Sequence, residues 1–390
     1  MDIGQIGRNK SVSIINSKEL EFKEVDLLDN FSKLALLLLL SGYKLEDEIY
    51  LFDRLPEQIN EQDLNQFLSY VVNHPNAPKN FAYSVTCKPS NSDIVARDIT
   101  NHNKSVEGSI LCFSGGIDST AGLLYCLDKK VPVKPLFIDF KQRNGESEVK
   151  SVEGILHKLK IEPKVISLDL KKIILDGWKS WDFIIPGRNF LFLCLAKSLA
   201  KNQSFSPATI YLCANKEEMR KWKHHDKSKY FFRKMNTLIR DDKDSQNVEF
   251  STPFEKYSKT EILYWWKTNC EKKYGLSPYD TSTCYYEKKC GKCRACFRRT
   301  ISLLAAGYEV DRDLEVHPLS DPVLFIKNIW IPEIKAGKIS RTGKLDFYIA
   351  LEKSLNILPQ HLSDFYQTLR PITIKAIQRR KNEIKSVRIV

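Results

Sequence analysis

Long apolar runs are missing from this 390-residue chain. The longest, residues 34–40, falls far short of the roughly 20 residues that span a bilayer and reads as a helix buried against a core. The opening Met1, Asp2, Ile3 and Gly4 lack the basic-then-apolar pattern of a secretory signal. The Walker pattern G-x-x-x-x-G-K-S/T is absent, which argues against a γ-phosphate motor or switch. No internal repeat and no RNA-binding motif is present. The ten cysteines do not form the framework of a small secreted domain: four cluster, while Cys112, Cys126, Cys194 and Cys213 sit in apolar runs, as buried thiols do. These absences leave a cytoplasmic, non-membrane enzyme as the expectation. The length suits one main domain with added subdomains.

What is present is concentrated in two places. Ile110, Leu111, Cys112 and Phe113 read as a buried strand, and Ala121 to Leu127 open as a helix. Between them stand Ser114, Gly115, Gly116, Ile117, Asp118, Ser119 and Thr120. The two glycines permit a turn and let backbone N–H groups approach an anion closely. Ser114, Ser119 and Thr120 add hydroxyls beside the positive end of the helix. The segment reads as a phosphate cradle; an incidental Ser/Gly-rich turn is the plain alternative. SGGxDS after a strand resembles the signature of PP-loop (pyrophosphatase-loop) ATPases. That resemblance implies cleavage of ATP between its α- and β-phosphates and activation of an oxygen by adenylation.

The second concentration is Cys284, Cys290, Cys293 and Cys296, spaced C-x5-C-x2-C-x2-C. Four thiolates at this spacing can close tetrahedrally around zinc and leave no open position, so Zn²⁺ here is expected to be structural. An iron–sulfur cluster is the competing occupant. Lys288, Lys289, Lys292, Arg294, Arg298 and Arg299 are expected to offset the thiolate charge.

Taken in order, these segments resemble the 7-cyano-7-deazaguanine synthase (QueC) family. Phe137-Ile138-Asp139-Phe140-Lys141-Gln142-Arg143, Pro186-Gly187-Arg188-Asn189, Ser258-Lys259-Thr260-Glu261 and Ser282-Thr283-Cys284-Tyr285 follow the phosphate loop as that family has them. The resemblance covers residues 108–307. It implies ATP and Mg²⁺ as cofactors, with Ser114, Gly115, Gly116, Ile117, Asp118, Ser119 and Thr120 on the nucleotide. It further implies Asp118, Arg188 and Lys259 as catalytic groups, and Gln142, Arg143, Arg188, Asn189 and Asn215 on a 7-deazaguanine substrate. One stretch departs: where the synthases carry a long pocket motif, this chain keeps only Asn215, followed by a basic segment to Lys227. Residues 1–107 and 308–390 have no counterpart in the short synthases and are expected to be an α+β extension and a mostly helical extension.

The expected fold is α/β, a doubly wound parallel sheet with a zinc knuckle and added subdomains. Strand-like stretches 133–138, 164–168 and 208–214 alternate with helical 146–159 and 189–201, placing a ligand at the strands' C-terminal ends. Residues 258–272, 345–355 and 362–369 also read as helical, and 322–332 as extended. In the N-terminal region, 12–28, 48–53 and 81–87 read as strands, 63–72 as a helix and 88–108 as a linker. The net charge is +13. Lys221, Lys223, Lys227 and Lys229 lie among Trp222, Tyr230, Phe231 and Phe232, and Lys375, Arg379, Arg380 and Lys381 form a second basic stretch. Such segments fit a solvated face first; they equally suit the phosphates of ATP or an acidic protein partner, with nucleic acid the minority reading.

Function is therefore expected to be ATP-dependent adenylation of a 7-carboxy-7-deazaguanine-type carboxylate and its transfer to an amine. The rebuilt acceptor side favours a protein amine, as in synthase-like proteins of anti-phage defence. Formation of the nitrile from ammonia and a non-catalytic partner-binding scaffold are the alternatives. Cys213 and Cys270 are not expected to be nucleophiles.

Overall fold

The computed structural model describes residues 11–15, 18–22, 49–51, 85–87, 106–139, 145–162, 164–167, 188–202, 205–220, 225–240, 247–286, 288–320 and 326–389. In the N-terminal region β1 (Ser11–Ile15) pairs antiparallel with β2 (Lys18–Phe22), and β3 (Ile49–Leu51) pairs parallel with β4 (Val85–Cys87). The helices expected at 34–40 and 63–72 lie outside the described residues.

β5 (Val106–Cys112) begins inside the expected linker and becomes the central strand of a five-stranded parallel sheet. It is joined by β6 (Val133–Asp139), β7 (Lys164–Ser167), β8 (Phe205–Tyr211) and β9 (Val248–Ser251) in the order β7-β6-β5-β8-β9. Helices α1 (Ile117–Asp128), α2 (Gly145–Leu159), α3 (Arg188–Asn202) and α4 (Lys229–Arg240) follow these strands. Ile110 and Leu111 are fully buried because helices cover both sheet faces, which is why β5 reads as a continuous apolar run. Strand order reverses at β5, so the crevice beyond its C-terminal end is the switch point where ligands bind in such sheets.

The sheet leads into α5 (Lys259–Trp265), a wider π-type turn (Trp266–Cys270) and the short α6 (Glu271–Tyr274). α7 (Arg294–Ala306), α8 (Ile331–Lys335), α9 (Arg341–Lys353) and α10 (Gln360–Lys385) complete the chain. Two expectations are corrected here. The extended piece at 322–332 is helical wherever it is described, because Pro332 sits in the first turn of α8, where no N–H partner is needed, and Trp330 is buried against Phe297. The helix expected at 362–369 runs for 26 residues through Pro371. Buried Leu362 and Tyr366 before the proline and Ile377 and Ile384 after it hold both halves down. Phe297, Ile301 and Leu304 of α7 share one apolar cluster with Phe347, Leu351 and Ile377, so the C-terminal helices pack onto the sheet domain rather than beside it.

Candidate active site

The turn after β5 is built as the sequence dictates. Gly115 has φ +66°, a left-handed conformation that L side chains rarely adopt, and a Cβ there would stand 3.0 Å from Ser151 Oγ on α2. Ser151 Oγ lies 2.9 Å from the Gly115 carbonyl, and the Ser282 N–H donates to that same carbonyl at 3.1 Å. Ser119 Oγ accepts from the Ser114 N–H at 3.3 Å and donates to the Gly116 carbonyl at 3.2 Å, so it braces the loop. Thr120 is fully buried. No side chain caps α1 at Gly116, so the N–H groups of its first turn, which no helix can satisfy internally, face the crevice beside exposed Ser114.

Asp118, which follows the central strand β5, and Lys259, which follows the edge strand β9, come together. Lys259 Nζ lies 2.9 Å from Asp118 Oδ2, while Asp118 Oδ1 is buried with no hydrogen-bond partner. Lys259 is the first residue of α5, where a cation opposes the helix dipole. A residue disfavoured locally and paired over a long range marks a site rather than a helix preference. Its cap is firmly made: Ser258 Oγ accepts from the Glu261 N–H, and Glu261 Oε2 accepts from the Ser258 N–H at 2.8 Å, a complete capping box.

Behind that cap stands Arg380 from α10, 2 % exposed. Its Nε donates to Asp346 Oδ1 at 2.8 Å, its Nη2 to Ser258 Oγ at 2.8 Å, and its Nη1 to Glu261. Burial works against the Arg380 charge, but Asp346 and Glu261 outweigh it and hold the proton more tightly than usual. Burial lifts the Asp346 carboxyl above its ordinary range, with Arg380 pulling the other way. The basic stretch at 375–381 thus hides one buried structural cation, which the sequence reading took for surface. The S-x-x-E spacing at Ser258 was the one available signal for this network.

Of the expected substrate contacts, Gln142 and Arg143 lie outside the described residues. Arg188 begins α3 with its guanidinium 5.7 Å from the Phe192 ring centroid, and Asn189 is buried. The Asn215 amide is spent on its own turn: Oδ1 accepts from the Glu217 N–H at 3.0 Å and Nδ2 donates to Glu218 at 3.2 Å. Lys227 pairs with Glu218 at 3.6 Å; burial disfavours its charge, yet Glu218 and Asp118 raise its pKa.

The four cysteines converge as expected. Their sulfurs all lie within 4.8 Å of one another, and Cys284 and Cys293 are 3.9 Å apart. A tetrahedral site with Zn–S bonds of about 2.3 Å needs sulfurs about 3.8 Å apart. Backbone N–H groups of Lys292 and Cys296 donate to Cys290 and Cys293 sulfurs at 3.3 and 3.4 Å, which favours thiolates. Gly291 has φ +70°, and a Cβ there would lie 1.7 Å from the Val316 carbonyl oxygen. The donor set therefore fits zinc. Three of the six surrounding cations are committed elsewhere. Lys289 pairs with Asp311, Arg294 with Glu333, and buried Arg299 with Asp311, Thr281 and the Pro278 carbonyl.

Phe231 and Phe232, on α4, are buried, so they offer no stacking face to nucleic acid. Trp222 lies outside the described residues. Burial pushes the Cys112, Cys126 and Cys270 thiols up to about 12 and Cys213 up as well, in keeping with inert thiols. Among the described residues no helix is long and apolar enough to cross a membrane.

A family model described as queuosine biosynthesis protein QueC matches residues 108–307. A 7-cyano-7-deazaguanine synthase of Marinomonas sp. (strain MWYL1) is 28% identical over 224 residues, spanning 52% of this chain and 95% of the relative. The enzyme of the same name from Methanocaldococcus jannaschii is 27% identical over 229 residues, 52% of this chain and 96% of the relative. That of Methanobrevibacter smithii is 29% identical over 218 residues, 49% of this chain and 90% of the relative.

Proposed function

The chain belongs to the family of queuosine biosynthesis protein QueC, and on that premise we propose that it activates the carboxylate of a 7-carboxy-7-deazaguanine with ATP and forms the 7-cyano product from ammonia. The names of the relatives favour this reaction over transfer to a protein amine, the acceptor that the rebuilt acceptor side suggests. Those names say nothing of anti-phage defence. The observation that carries the reading is the Asp118–Lys259 pair beside the phosphate loop, with Asp118 Oδ1 left unspent.

In this reading the open N–H groups at the start of α1 and Ser114 Oγ bind the β- and γ-phosphates of ATP, which depart together as pyrophosphate. A substrate carboxylate oxygen attacks the α-phosphorus in line as its bond to the bridging oxygen breaks. Lys259 neutralises charge developing on the α-phosphate, and Arg188 does so from the start of α3. Asp118 would hold Mg²⁺, which when bound screens the phosphate oxygens. Ammonia displaces AMP from the acyl-adenylate to give the amide. A second activation by ATP removes the amide oxygen and leaves the nitrile. Cys284, Cys290, Cys293 and Cys296 would hold zinc as a structural clamp at the start of α7.

The test is incubation with 7-carboxy-7-deazaguanine, ATP, Mg²⁺ and ammonia, followed by mass spectrometry and AMP measurement. A nitrile product with AMP supports the reading. AMP with only a protein-linked deazaguanine, when candidate acceptor proteins are added, moves the amine to a protein. Absence of carboxylate-dependent AMP formation leaves the partner-binding scaffold.

A further inference from the structure

A partly open pocket lies beside Lys259. Two parts of the chain line it. Asn215, Glu217 and Arg298 come from the segment matched by the family, and Trp330, Ile339 and Asp346 from the C-terminal helices. The synthases of Marinomonas and M. jannaschii are 95% and 96% covered by only 52% of this chain, so this second wall is an addition to what they share.

Most polar groups of the pocket are committed to the protein itself: Asp346 to Arg380, and Asn215 to its turn. Two are not. Glu217 Oε1 is buried with no hydrogen-bond partner. Arg298 makes no hydrogen bond or ion pair among the described residues. An unmatched buried acceptor costs free energy, and a half-buried cation without a partner costs less; both are recovered when a ligand supplies the missing partner. The ligand must therefore offer N–H donors on one side and an anionic oxygen on another, on a body flat enough to lie along Trp330, Ile301 and Ile339. A guanine-type ring presents N1–H and its exocyclic amine side by side, a pair that one carboxylate can accept; an adenine-type ring does not. A ring carboxylate suits a guanidinium. Lys259 belongs to both the pocket lining and the Asp118 ion pair, so the pocket and the phosphate loop share a wall.

We propose that this pocket seats the carboxylated guanine-type base, with Glu217 reading its N–H edge, Arg298 facing its carboxylate, and the C-terminal helices closing the far wall. The assignment rests on the function proposed above and names where its substrate recognition resides.

Binding is measured calorimetrically on the full chain with a non-hydrolysable ATP analogue, using 7-carboxy-7-deazaguanine and, as the edge control, 7-carboxy-7-deazaadenine. The wild type is expected to bind the first and discriminate against the second. Glu217→Gln should weaken the first by roughly tenfold or more and narrow the discrimination, since a buried polar group built for one edge rejects a ligand that lacks it. Thermal melting and ATP binding confirm that the variant folds. Hydrogen exchange on the wild type supplies a readout that needs no variant: the guanine-type ligand should protect residues 326–346 as well as 215–219. Unchanged affinity in Glu217→Gln and Arg298→Gln, or protection confined to residues 108–307, overturns the pocket assignment while the proposed function stands. So does absence of binding with carboxylate-dependent AMP formation intact. Absence of both binding and AMP formation overturns the function and the pocket together.

Discussion

Two buried arginines carry the two sides of the site, and they do so differently. Arg299, within the family-matched segment, holds Asp311, Thr281 and the Pro278 carbonyl, bracing the stretch whose Ser282 N–H bonds to the Gly115 carbonyl of the phosphate loop. Arg380 enters from the C-terminal helix and braces the cap of α5, on which Lys259 stands. The nucleotide side is thus built from a short motif and a buttress whose own bonds are local, spanning 12, 18 and 21 positions, although it meets the loop from far along the chain. The acceptor side depends on a residue more than a hundred positions away: the Arg380–Glu261 and Arg380–Ser258 bonds have separations of 119 and 122. An addition outside the shared core has become part of the support of a core residue.

The knuckle tests whether the two sides are independent, because Cys293 and Cys296 flank the start of α7, which bears both Arg298 and Arg299. Cys290→Ser should reduce zinc from one equivalent to a small fraction and lower Tm by about 10 °C or more. Metal analysis and calorimetry check this. Loss of Tm without bound zinc in the wild type would show that the thiols pack without a metal.

Arg380→Met should cost about 3–5 kcal/mol in urea unfolding, because Glu261 and Asp346 are left buried without their cation. Adding Glu261→Gln and Asp346→Asn should return most of that stability, since neutral groups need no counter-charge. If Arg380 acts only on the far helices, its loss leaves kcat for AMP formation unchanged. If it supports Lys259, kcat falls in the single variant.

Lys259→Met sharpens the contrast from the other side. The Asp118 pair is partly exposed, with side chains 22% and 13% accessible, so stability should change by no more than about 1 kcal/mol. AMP formation should fall by about 10²–10³-fold, as for removal of one electrostatic stabiliser in other active sites. Steady-state kinetics beside a urea melt separates the two effects.

This division also explains what was legible in the sequence. The phosphate loop, the sheet alternation and the cysteine knuckle are written in spacings of a few residues, where glycine conformation, period and ligand geometry act locally. The Arg380 network and the pocket wall are not, because a basic stretch looks the same whether one of its residues faces water or a buried carboxylate. Asn215 shows the reverse: matched by motif, it spends its amide on turn geometry and contributes to the pocket by shape. The helical course through Pro332 and Pro371 was likewise hidden, since both prolines are excused by position and distant packing.

The smallest expected effect concerns pH, and there the two networks should have opposite signs. Burial opposes the Asp311 charge, but the Arg299 and Lys289 contacts prevail and its pKa is lowered in the fold. A carboxyl depressed on folding stabilises above its unfolded pKa of about 3.9 and loses that contribution as pH falls through the folded value. The stability gap between wild type and Asp311→Asn should therefore shrink on acidification below about pH 4. Asp346 is raised by burial despite Arg380. A carboxyl raised on folding binds its proton more tightly in the native state, so its contribution is greatest at low pH and declines as pH rises through the unfolded and then the folded value. The gap between wild type and Asp346→Asn should grow on acidification above about pH 4, between its folded and unfolded values, before the Asp311 gap begins to shrink below it. Urea midpoints between about pH 3 and 7 measure both. Two gaps moving in the same direction would mean that the two arginines hold their carboxylates alike, and that the acceptor side bears no extra cost of burial.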